Sequence, residues 1–97
     1  MISTERIQLG KESFQIHTKF YPNGQLAVYL KDKLGLPVAE LSIMANSIPL
    51  HKNEFILKDY SENQLFIHHL MNHNLIIITG RFIIIGKHLS PICKFKN

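Results

Sequence analysis

Residues 13–30, SFQIHTKFYPNGQLAVYL, restrict the chain to a narrow choice of folds. Phe14, Ile16, Thr18 and Phe20 alternate with Gln15, His17 and Lys19, and further on Leu26, Val28 and Leu30 alternate with Ala27, Tyr29 and Lys31. A period of two is that of a strand with one face covered. Between the segments, Pro22 fixes φ at the second position of a turn, and Gly24 after Asn23 accepts positive φ without a steric penalty. Two strands joined so tightly lie side by side and antiparallel, and their apolar faces need a common cover.

The flanking sequence extends this pattern. Ile7 and Leu9 predict a shorter strand before a turn at Gly10, and KDKLGLP marks a turn at Gly35 and Pro37. In VAELSIMA, Ala39, Leu41, Ile43 and Ala45 share one face, opposite Glu40 and Ser42, which predicts a third strand of the meander. Phe55–Leu57 reads as a short edge strand. One helix is expected from about Ser61 to Asn74: Ser61 and Gln64 have capping-box spacing, Glu62 suits the positive end of the helix dipole, and Phe66, Leu70 and His73 recur at helical intervals.

The last third of the chain behaves differently. Ile76–Ile78 and Phe82–Ile85 do not alternate, so both of their faces want cover, from a central position under the helix or from a second copy of the chain. The final segment alternates again, with Ile92, Lys94 and Lys96 against Cys93 and Phe95. Together these segments predict an α+β fold: one domain over residues 1–97, with an antiparallel, meander-like sheet of about five to seven strands and one α-helix packed on one face.

Apolar residues make up 45% of the chain and charged residues 19%, enough to build a core unaided. One cysteine excludes an internal disulfide and fits a reducing compartment, and Glu5 and Arg6 stand where a signal peptide would need an apolar stretch; a cytoplasmic location is expected. The net charge of +4 is unevenly placed. Residues 1–80 hold seven bases and seven acids, whereas Arg81, Lys87, Lys94 and Lys96 follow with no acid. These four are the candidate partner-binding residues, as a basic edge meeting a protein or as a strip that tracks phosphates with Phe82 and Phe95 stacking on bases.

Other clusters have structural readings. His69 and His73 lie four apart beside His68, a spacing that can reach a metal, yet no glutamate adjoins the first histidine as in a zinc-hydrolase helix. Glu54, Asp59 and Glu62 surround the expected helix start, where acids serve capping. Cys93 alternates with Phe95 as a core residue does. No nucleophile elbow or phosphate loop occurs. The expectation is a protein that is not an enzyme and uses no metal or cofactor.

Tyr21-Pro22-Asn23-Gly24 with Leu26-Ala27, GLPVAELSIMAN, EFILKDYSEN and Thr79-Gly80-Arg81 within TGRFIIIG, followed by SPICKF, resemble the small bacterial family known as domain of unknown function 4313. The resemblance spans about Ser13 to Phe95. It implies an accessory role on plasmids, phages or other mobile elements, with no catalytic residues assigned. The expected function is therefore a protein-binding inhibitor of a bacterial defence system, such as a CRISPR–Cas effector or another defence nuclease complex, acting by steric blocking. Seven acids against eleven bases exclude a DNA mimic. The competing reading is a small basic nucleic-acid-binding regulator, and a homodimer is a further possibility.

Overall fold

In the computed structural model, residues 6–46, 48–60 and 63–96 are described. Eight strands and one helix follow in the order β1 (Arg6–Leu9), β2 (Glu12–Phe20), β3 (Leu26–Asp32), β4 (Pro37–Glu40), β5 (Ser42–Ile43), β6 (Glu54–Leu57), α1 (Gln64–Asn72), β7 (Ile76–Ile85) and β8 (His88–Phe95). The α+β, antiparallel expectation holds. The strands divide into two four-stranded sheets, β1-β2-β3-β4 and β5-β6-β8-β7.

The opening hairpin pairs as its alternation requires, with Ile16 opposite Leu30 and His17 opposite Tyr29. The turn closes through the Gly24 N–H donating to the Tyr21 carbonyl at 2.8 Å, and Gly24 adopts φ 86°, a value a β-carbon would strain. Phe14, Ile16, Val28 and Leu30 are buried in a core shared with Phe55, Leu57, Cys93 and Phe95 of the second sheet. Phe20, assigned to that face by alternation, is exposed at the open end of the hairpin.

The expected third strand bends where the sheets meet. Its first half pairs with β3 and its second half with β6, and Leu41 between them donates to the Val28 carbonyl while accepting from Lys58 N–H, both at 2.8 Å. A strand that changes sheets at a corner is a standard closure of two packed sheets. Ser42 follows Leu41 into the interior, where its Oγ accepts the Val28 N–H at 2.8 Å. A small hydroxyl can replace the missing ladder partner there, which a larger side chain could not.

Helix α1 is shorter than its sequence suggests, and the capping box involving Ser61 lies outside the described residues. Asn63, at the N-cap position, makes no cap hydrogen bond. Its amide instead donates to the carbonyls of Glu40 and Lys58 at 2.8 and 3.1 Å, fastening the helix start to the corner. At the other end Asn74 takes φ 56°, with its N–H bonded to Met71 O and that of Leu75 to Leu70 O. This is a Schellman stop, with asparagine in the place glycine usually occupies.

One strand position differs from expectation. β6, read as an edge, lies between β5 and β8 and is buried along its length. β7 is the edge of its sheet, so of the two covers that its sequence allows, a central position and a second copy, the fold does not supply the first.

Candidate functional site

The β7–β8 hairpin outruns the sheet that carries it. β6 pairs with β8 at Ile92–Lys94, so residues 88–91 have only β7 as a ladder partner. Residues 82–91 therefore form a two-stranded arm, closed by Gly86 and Lys87. By register, Ile76, Ile78, Phe82 and Ile84 share a face with Phe95, Cys93, Pro91 and Leu89. Near the body this face is core: Ile76, Cys93 and Phe95 are buried. Toward and along the arm it opens, with Ile78, just before the arm, 41% exposed and Phe82 51%, Ile84 71% and Leu89 59% exposed within it. Tyr60 stacks on His88 with ring centroids 4.1 Å apart, tying the 58–60 loop to the arm.

A bulge separates arm from body. Ile78 pairs with Cys93 and Phe82 with Pro91, so Thr79, Gly80 and Arg81 together oppose Ile92. Gly80 adopts φ 95°, and Thr79 Oγ1 donates to the Ile92 carbonyl at 2.8 Å, filling the gap in the ladder.

The four basic candidates do not form a strip. Arg81 leaves the bulge to pair with Glu54, a buried carboxylate that also accepts His51 N–H at 2.9 Å. Lys94 stands opposite both Glu54 and Ile77 in the ladder. Lys87 lies at the arm tip and Lys96 just past the far end of β8, about 30 Å away along an extended strand. Phe95 is buried in the core and cannot stack on a base, whereas Phe82 is open.

Burial alone would raise the Glu54 pKa, but the hydrogen bonds from Arg81 and the His51 backbone, with the positive charge of Arg81, hold it below the ordinary carboxylate value. A carboxylate with a depressed folded pKa adds stability above its unfolded pKa, and that stability is lost as pH falls through the folded value. Because Arg81 is exposed to solvent, the pair contributes only about 1 kcal/mol. Acid titration of the unfolding temperature should show this loss below the usual glutamate range in the wild type and not in Glu54→Gln. Equal acid sensitivity in both would remove the assignment.

The remaining nucleophile and ligand candidates are engaged elsewhere. Burial, with the nearby Asp59 charge, pushes the Cys93 thiol up to about 12. Labelling by a maleimide at neutral pH should therefore be at least tenfold slower than after denaturation; equal rates would contradict the packing. His69 and His73 stack with centroids 4.2 Å apart, and burial followed by the neighbouring His73 charge lowers the His69 pKa. Among the described residues, no group of three or more His, Cys, Asp or Glu could hold a metal ion. Glu62 lies outside the described residues, so the acid trio cannot be placed together.

A second surface is invisible in the segment-by-segment reading. Cross-strand register gathers His17, Lys19, Tyr29 and Lys31 on the outer face of the first sheet. Their alternation is plain in the sequence, but the pairing that makes them neighbours comes only with the fold.

No helix among the described residues is long and apolar enough to cross a membrane. No family model, curated protein or solved structure matches the chain.

Proposed function

We propose that the protein acts by binding another protein and not by catalysis, with the β7 edge and the apolar face of the arm as its docking surface. The observation that carries this reading is the exposure of Ile78, Phe82 and Ile84 along β7, a strand whose outer backbone groups have no ladder partner, with Leu89 of β8 exposed beside them. Natural edge strands are usually blunted by lysine, proline or cover. Arg81 is the one charged residue within β7, and it is paired with Glu54. Such an edge accepts an added strand through main-chain hydrogen bonds, while side-chain contacts set the choice of partner.

The occupant is a strand of a defence protein, in keeping with the accessory, mobile-element role that the resemblance implies. A CRISPR–Cas effector complex blocked by steric occupation is the specific target class. Purified effector–guide complexes should be captured in stable stoichiometry and lose target cleavage when the protein is added. Ile84→Lys should cancel both effects. Cleavage left unchanged across representative effector types, or inhibition that survives Ile84→Lys, would overturn the reading.

A further inference from the structure

Away from the arm, the outer face of the first sheet combines rings and cations in a definite order. His17 of β2 and Tyr29 of β3 are directly opposite in the ladder, and their rings stack with centroids 5.8 Å apart and planes inclined by 30°. Lys19 Nζ lies 5.3 Å and Lys31 Nζ 5.7 Å from the centre of the Tyr29 ring. In register, Lys31 stands opposite Gln15 on one side of the ring pair, and Lys19 opposite Ala27 on the other. Arg6, opposite Gln15, adds a third cation on the same face. The reverse face of these strands is core, so the platform is held by buried Phe14, Ile16, Val28 and Leu30.

The surface beside Tyr29 is hollow. A depression of about 640 Å³ is lined by Lys19, Tyr29, Lys31, Pro37, Val38 and Glu40, among others. Glu40 is the carboxylate of that lining, and it accepts a hydrogen bond from the Tyr21 hydroxyl at 2.6 Å. Burial and the Glu40 hydrogen bond push the Tyr21 pKa up to about 12, so the phenol remains a donor to that carboxylate at neutral pH. Gln15 steadies the ring pair by a 3.1 Å contact between its Oε1 and His17 Nε2.

We propose that this face binds single-stranded nucleic acid, independently of the protein-docking arm. Along the sheet the order is cation, ring pair, cation, each step two residues or about 6.6 Å. An extended polynucleotide presents phosphate, base and phosphate in the same alternation. A base stacks on Tyr29 or His17, and its flanking phosphates meet Lys19 and Lys31, the combination by which sheet platforms bind single strands without reading sequence. A duplex keeps its ring faces inside the stack and offers nothing to Tyr29. An acidic peptide could neutralise the lysines but would leave the rings unused.

The test is fluorescence anisotropy with labelled single-stranded DNA and RNA decamers, the matching duplexes and a polyglutamate competitor. Single strands should bind more tightly than duplex. Tyr29→Ala should weaken binding by roughly tenfold through loss of stacking, while Tyr29→Phe retains it. Lys19→Glu with Lys31→Glu should abolish binding at moderate salt. The milder pair Lys19→Gln with Lys31→Gln should reduce the slope of log affinity against log salt by about 0.7 per lysine. Lys87→Glu with Lys96→Glu should bind more tightly than either platform variant, and Ile84→Lys should bind like wild type, separating this surface from the tail and the arm.

Circular dichroism checks that each variant is folded. If Tyr29→Ala does not fold, the surface lysine pairs carry the test. Equal affinity for duplex and single strand, displacement by polyglutamate at matched charge, or Tyr29→Ala binding like wild type would overturn the proposal, as would loss of binding only in the tail variant.

Discussion

Ile84→Lys should abolish association through the arm while leaving the monomer's stability almost untouched. Ile84 is the most exposed residue of that apolar face, so in the monomer the new lysine remains in water, and the change in stability should stay within about 0.5 kcal/mol. In a complex the same ammonium would sit against a partner's apolar side chains without a counter-charge, a cost large enough to weaken binding by at least tenfold. Without a target, the strand most readily available to β7 is β7 of a second copy. Concentrated wild-type protein should therefore show a reversible dimer in sedimentation, and Ile84→Lys should sediment as a monomer. A large drop in unfolding temperature would show that Ile84 is packed within the monomer. A dimer that persists in the variant would place self-association elsewhere.

Leu41→Ala should produce the opposite pattern, a severe loss of stability. Leu41 is fully buried at the corner where the chain passes from one sheet to the other, and its backbone bonds to both Val28 and Lys58. Truncating a buried leucine costs about 2–5 kcal/mol, and in a domain of this size each kcal/mol lowers the unfolding temperature by about 4–8 °C. The transition should remain single, because the two sheets share one core and neither keeps its cover if the other opens. Calorimetry showing two separate transitions would mean that the sheets are independent units.

Local chemistry in the sequence was enough to locate most elements. The β2–β3 hairpin follows from alternation and Pro22-Asn23-Gly24, and both depend on neighbouring residues alone. The bend at Leu41 was not legible, because alternation continues through it while the pairing partner changes. The position of β6 is not legible for a related reason, and for β7 the sequence leaves a central place and cover by a second copy as alternatives. An apolar run states how much cover a strand wants, not what the chain supplies, and β7 receives ladder cover on one side only.

Charge was similarly concealed. Residues 1–80 sum to zero, which conceals Arg6, Lys19 and Lys31 on one face of the first sheet, while the excess after residue 80 points to lysines that the fold separates, Lys87 in the arm turn, Lys94 within β8 and Lys96 beyond it. Glu54, grouped in the sequence with the acids around the helix start, pairs instead with Arg81 across the sheet. A pair so distant along the chain leaves no local pattern.

The three residues opposite Ile92 also bear on solubility. Without Thr79-Gly80-Arg81, the isoleucine runs on either side would join into one flat apolar ribbon, the kind of segment from which fibrils grow by repeated stacking. The kink and local twist interrupt that template, so a strand adding to the arm does not continue in straight register onto the body. Shortening the loop to a regular ladder should leave the fold's core intact yet send the expressed protein into inclusion bodies. On the proposed docking mode, the bulge would thus limit growth: a single strand could add to the arm, while an open-ended polymer would be discouraged.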